Sequence, residues 1–135
     1  EHLLAKPYLR PVYDHPQFIL RNIWRLYGGW YDGEPDNLLP APRAEQAREW
    51  VSLAGGLDKV LARASALKGE GNLRLACHIV EFAVLAEPSS KEAHAVRRDV
   101  YAARSKLEES SMSRNILNHA ALASEQGKRD LAGEY

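Results

Sequence analysis

The segment Gln17-Phe18-Ile19-Leu20-Arg21-Asn22-Ile23-Trp24-Arg25-Leu26-Tyr27 constrains this chain more than any other stretch. On a helix, Gln17, Arg21 and Arg25 recur every four residues and form one polar stripe. Phe18, Ile19, Leu20, Ile23, Trp24, Leu26 and Tyr27 cover most of the remaining circumference. A helix that is apolar nearly all round has to be covered on more than one side. A chain of 135 residues can bury one core of ordinary size, so this helix carries a surplus. Two readings account for it. The other helices wrap it as a central core helix, or its outer side meets another subunit or a neighbouring domain.

The punctuation around this segment is clear. Asp14-His15-Pro16 reads as a helix start, with Asp14 or His15 at the cap and Pro16 in the first turn. Gly28-Gly29 stops the helix. Pro7, Tyr8, Pro11 and Tyr13 make residues 1–15 an extended lead-in. Gly33, Pro35, Pro40 and Pro42 make 30–42 a stiff loop, and Trp30, Tyr31, Leu38 and Leu39 imply that it packs. Further helices are expected over about 43–54, 57–68, 73–86, 91–109 and 112–131, with Ser89 or Ser90 and Ser110 or Ser111 as caps. The polar stretch 124–135 is expected to fray. No window alternates with period two, so the fold class is all-α, a single domain of about six helices in antiparallel hairpins.

The middle of the chain resembles one tetratricopeptide-like helix pair, residues 57–90. Ala64, Ala76 and Ala83 stand where such pairs place small residues, Gly71 falls in the turn, and Pro88 ends the unit. The next unit departs from the pattern at Arg98, although Tyr101 fits. Three repeats are needed for an independent solenoid, so these helices must bury their open face elsewhere.

The run Arg21-Asn22-Ile23-Trp24-Arg25-Leu26-Tyr27-Gly28-Gly29-Trp30-Tyr31-Asp32-Gly33-Glu34-Pro35, followed by Leu38-Leu39-Pro40, resembles the signature of the alkylsulfatase dimerisation domain. The resemblance continues through Leu53-Ala54-Gly55-Gly56, the 73–88 helix with its proline, and Met112-Ser113-Arg114-Asn115-Ile116-Leu117. It covers about residues 8–123. In that family the domain follows a metallo-β-lactamase-like catalytic domain in bacterial and fungal alkyl sulfatases, which hydrolyse sulfuric esters. The resemblance therefore implies a homodimerisation domain without its catalytic partner, inactive by itself, and a parent enzyme carrying two zinc ions on that other domain. The N-terminal residues Glu1-His2-Leu3-Leu4-Ala5-Lys6-Pro7 read as a cut end, the expectation being a piece of a longer protein.

The family's zinc ligands follow an HxHxDH pattern, which this chain lacks. Its histidines are His2, His15, His78, His94 and His119, and no two have ligand spacing, so no metal site is expected here. Cys77 and His78 are adjacent on a helix and point about 100° apart, a poor chelating pair. Cys77 reads as a small buried hydrophobe, and a lone cysteine excludes an internal disulfide.

The resemblance carries one active-site role to this chain. A tyrosine of the Tyr-x-Gly-Trp block, here Tyr27, is expected to reach the sulfate pocket of the catalytic domain, where a phenol can donate to a sulfate oxygen. The competing reading buries Tyr27 in the core. Asp32-Gly33 reads as a turn, with Asp32 shaping the backbone. Aromatic residues and Arg dominate protein interfaces, so Phe18, Arg21, Trp24, Arg25, Trp30 and Tyr31 are the expected dimer contacts around a two-fold axis. A second surface is the stripe Met112, Ile116, His119, Ala120 and Ala123. Arg21, Arg25 and Arg114 are expected to pair with carboxylates, because acids and bases are equally abundant.

Charge and hydropathy limit the partners. Eighteen basic residues balance eighteen acidic ones, which argues against a dedicated nucleic-acid binder and against a polybasic membrane-surface protein. No apolar run is long enough to span a bilayer. The compartment stays open, cytoplasmic or exported. The expected partners are a second copy of the chain and the catalytic domain of its parent. Two other functions fit the same sequence: a tetratricopeptide-like module that captures a peptide, and a lid that shapes an alkyl-chain pocket.

Overall fold

The computed structural model describes residues 6–29 and 31–131. Six α-helices follow one another: α1 (Pro16–Gly28), α2 (Arg43–Leu53), α3 (Leu57–Gly69), α4 (Leu73–Ala86), α5 (Lys91–Ser105) and α6 (Ser111–Glu125). Two single 3₁₀ turns, Pro7–Leu9 and Pro35–Asn37, lie in the lead-in and in the loop after α1. The described residues contain no strand, as the absence of period-two patterning required.

The helix starts use the residues that the chain offers for the purpose. His15 caps α1 through its ring, Nδ1 accepting from the Gln17 amide at 3.2 Å, with Pro16 behind it. The Ser90 hydroxyl accepts from the Ala93 amide, and the Ser110 hydroxyl accepts from the Ser113 amide. Each satisfies an amide that a helix start would otherwise leave unpaired. Gly55 and Gly56 take φ of 87° and 109° in the tight turn between α2 and α3, a backbone that side chains resist.

The core lies in α2 to α6, with α4 at its centre. α4 packs against α2, α3 and α5, and α5 packs in turn against α6. Leu73, Ala76, Cys77, Val80, Ala83, Val84 and Ala86 of α4 are all buried. Ala64, Ala76, Ala83 and Ala93 are fully buried, and these small residues let neighbouring backbones approach closely. Leu67, Val80, Val84 and Val100 fill the space between them. Each such side chain contributes roughly 1.5–3 kcal/mol relative to an exposed position.

A polar knot crosses α4, α5 and α6. Glu81 accepts from Arg97 Nε at 2.6 Å, from the Tyr101 hydroxyl at 2.8 Å and from Arg129 Nε at 3.2 Å. Arg97 also donates to the Ala120 carbonyl and the Ser124 hydroxyl, and stands over the Tyr101 ring. Burial works to raise the Glu81 carboxyl. The charge of Arg97 and the three donors outweigh it and hold the group below its ordinary value. Tyr101 is displaced upward by burial and by the Glu81 charge. His94, also buried, bridges the Pro88 carbonyl and the Ser124 hydroxyl. Cys77 is buried and unbonded to any other cysteine, and burial pushes its thiol up.

Four expectations need correction. The fifth helix ends at Ser105 and the sixth at Glu125, each shorter than periodicity implied. Ser124 lies in the sixth helix and is buried against Arg97, and Arg129 reaches Glu81, so residues 124–131 are held where fraying was expected. The loop 31–42 is exposed throughout, Leu38 and Leu39 included, where packing was expected. Finally, α1 is not the central core helix. It has no buried residue, and no other helix packs along it.

Candidate functional site

The lead-in fixes the root of α1. The Val12 carbonyl accepts from the Ser111 amide at 2.8 Å, and the Tyr13 carbonyl accepts from the Met112 amide and the Ser110 hydroxyl. Residues 12 and 13 thus supply acceptors for the free amides at the start of α6. From this anchor α1 runs ~20 Å outward, at 1.5 Å per residue. Residues of its first two turns face the bundle across a groove. Half-buried Phe18 packs beside the His15 ring, and with Gln17 and Arg21 it faces a groove against Arg74, His78, Arg104, Ile116 and Leu117.

The opposite side of α1 is bare. Leu20, Ile23, Trp24 and Tyr27 recur at intervals of three and four and form one seam. Their exposures are 65%, 49%, 66% and 84%. Ile19 and Leu26 widen the seam on one flank and are also exposed. Leu20, Ile23, Trp24, Tyr27 and Gly28 line a shallow apolar depression edged by Arg21 and Arg25. Gly28 shapes its floor: a Cβ there would stand 3.2 Å from the Trp24 ring, so a larger residue would displace the indole. Scattered exposed apolar residues are ordinary, but a contiguous stripe of this kind on one helix marks an interaction surface.

The structure distributes the expected contact residues unevenly. Trp24 lies in the seam, and Arg21 and Arg25 border it. Phe18 lies on the bundle side. Tyr31 follows in the loop, partly exposed, and Trp30 lies outside the described residues. Tyr27 projects into solvent near the outer end of α1, so the reading that buries it is overturned. Leu20 and Ile23 were not singled out as contacts, although their spacing with Trp24 and Tyr27 is a readable seam. The alternative stripe on α6 divides, since Ala123 is fully buried while Ile116 is exposed.

The charges around the arm are sorted. Arg21 and Arg25 pair with no carboxylate among the described residues, against expectation, and Arg114 binds the Glu108 and Glu109 carbonyls. Asp32 shapes the turn as expected: its carboxylate accepts from the Glu34 amide at 2.9 Å and the Asn37 side chain at 2.7 Å. These two donors hold its carboxyl below the usual value. Among the described residues no group of three or more His, Cys, Asp or Glu could hold a metal, and no helix is long and apolar enough to cross a membrane.

Comparison with known proteins supplies the context for this surface. The family model described as alkyl sulfatase dimerisation matches residues 1–127. The chain is 33% identical over 122 residues to an (R)-specific secondary-alkylsulfatase of Pseudomonas sp., covering 90% of the chain and 18% of that protein. It is 32% identical over 108 residues to the alkyl/aryl-sulfatase BDS1 of Saccharomyces cerevisiae, covering 80% of the chain and 17% of that protein. The solved structure of the stereoselective inverting sec-alkylsulfatase Pisa1 from Pseudomonas sp. superposes with a TM-score of 0.82 at 31% identity, over 87% of this chain and 19% of that one. The chain thus spans less than a fifth of the length of these relatives.

Proposed function

The chain belongs to the alkyl sulfatase dimerisation family, and from that premise we propose that it joins two copies of an alkylsulfatase through the bare face of α1. The observation that carries this reading is the seam Leu20, Ile23, Trp24 and Tyr27, held on an arm that no other helix covers. A stable dimer buries roughly 800 Å² on each partner. An arm with an exposed tryptophan, a tyrosine and four aliphatic side chains offers apolar contact of that kind, edged by arginines as interfaces are. The catalytic chemistry belongs to a separate domain of the parent, a sulfuric ester hydrolase with two zinc ions, and this chain alone hydrolyses nothing.

Light scattering across a dilution series tests the proposal. A mass near twice 15.1 kDa that persists on dilution is the expected outcome. A mass of one chain at every concentration overturns it.

Tyr27 closes the outer end of the seam, and we propose that its hydroxyl, at the edge of the dimer contact, also reaches the sulfate pocket of the catalytic domain and donates to the ester. Its support is an exposed phenol at the outer end of the arm, free of any role in the core. Tyr27→Phe in the parent enzyme is expected to lower turnover of alkyl sulfates, and unchanged turnover removes the role. A second reading has a specific observation behind it. The apolar depression at Trp24 and Gly28 would also suit an alkyl chain, so the arm would act as a lid. Variants of the seam that stay dimeric but lose chain-length preference would favour the lid.

A further inference from the structure

The root of α1 and the loop beyond its tip carry opposite charge. At the root, a cavity of about 260 Å³ is lined by Arg21, Arg74, Arg104, His15 and His78. Its one carboxylate, Glu108, is engaged by Arg104 at 3.3 Å. Arg21 and Arg74 are exposed and have no carboxylate partner among the described residues. Beyond the tip, Asp32, Glu34 and Asp36 fall within five positions of an exposed loop. Asp32 is spent on its own turn, whereas Glu34 and Asp36 have no cationic partner among the described residues. Root and loop lie at opposite ends of an arm ~20 Å long.

We propose that in the dimer the acidic loop of each copy docks in the basic cavity at the root of the other copy's arm. This deepens the preceding section and rests on its reading that α1 is the dimer contact. The seam Leu20, Ile23, Trp24, Tyr27 has its midpoint between Ile23 and Trp24. A two-fold axis through that midpoint runs the two arms antiparallel and sets Leu20 opposite the partner's Tyr27. The same operation brings the outer end of one arm, Gly28, from which the acidic loop leaves, alongside Ile19 at the root of the partner's arm, where the cavity opens. Phe18 turns to the side of α1 away from the seam, while Arg21 stands between the two, lining the cavity and edging the depression, so a partner lying along the seam reaches the cavity past Arg21. Because the interface is isologous, the loop-to-cavity contact occurs twice. Charge pairs of this kind fix register and partner choice more than affinity.

Charge reversal tests the contact in the 135-residue chain. One variant carries Glu34→Arg and Asp36→Arg, the other Arg21→Glu and Arg74→Glu. Each alone is expected to weaken the dimer at least tenfold, since both copies then present like charges. An equimolar mixture is expected to restore the dimer, as a heterodimer in which both contacts are complementary again. If the unaltered chain is monomeric, the dimer reading itself falls and this inference with it. If the unaltered chain is dimeric and both variants dimerise equally well, the dimer stands and the docking is overturned. Separate weakening without recovery on mixing overturns it too. Should the second variant misfold, the loop variant decides, because Glu34 and Asp36 lie on an exposed loop clear of the core.

Discussion

The arm α1 and the central helix α4 are nearly equal in length, 13 and 14 residues, and both are rich in large apolar side chains. Seven residues of α4 are buried and none of α1 is. The difference lies in what surrounds each helix. α4 is enclosed by α2, α3 and α5, whose alanines admit it closely, while α1 is held at its root by two backbone carbonyls and a half-buried phenylalanine. Apolar content thus serves two ends in one chain. In the bundle it provides folding stability, and on the arm it stays exposed, where the proposed dimer contact would use it.

Substitutions in the two regions should therefore separate stability from assembly. The largest effect is expected in the bundle. Arg97→Met removes the main counter-charge of partly buried Glu81, and breaking such a pair costs about 3 kcal/mol. Thermal unfolding should show a fall in melting temperature on the order of 10 °C, and an unchanged melting point would deny the knot its structural role.

Trp24→Ser on the arm should do the converse. The indole is two-thirds exposed beside Gly28, so at concentrations where the chain is monomeric the melting temperature should hold within about 2 °C. The dimer dissociation constant should rise about 30-fold, the ~2 kcal/mol typical of a central aromatic contact. A large loss of folding stability in the monomer would place Trp24 in the fold and erase the contrast between the regions.

The smallest effect sharpens the contrast by pH. The Glu81 carboxyl is depressed in the folded state below its ordinary value of 4.5. The folded chain then binds fewer protons than the unfolded one through that range, so this group stabilises above pH 4.5 and loses its contribution as the pH falls. Urea unfolding between pH 6 and pH 3 should show the decline in the wild-type bundle and a shallower one in Glu81→Gln. Equal slopes would mean that other carboxylates govern the acid response.

Much of this organisation was legible in the chain itself. Pro16 and the Gly28-Gly29 pair set the ends of α1 to within one residue, and Asn72 and Pro88 bracketed α4. Buried Ala64, Ala76 and Ala83 were foreseen from their spacing, as was the turn built on Asp32. The long block from Arg21 to Pro35 indicated the family, because it is dense in aromatic residues and glycine. The ends of α5 and α6 were overrun, since helical periodicity continues past the point where a cap stops the helix.

Local chemistry therefore determined the helices, their caps and the presence of an apolar surplus. Tertiary structure alone decided where that surplus goes. The pattern of α1 is compatible with a helix wrapped by others and with one that leaves the bundle, because periodicity records which faces are apolar and not what covers them. That choice depended on contacts distant in sequence. Val12 and Tyr13 dock on the start of α6, almost a hundred residues away, and α4 occupies the centre that α1 might otherwise have filled. The same distance hid the Glu81, Arg97 and Arg129 knot, whose members meet only once α4, α5 and the segment after α6 are packed.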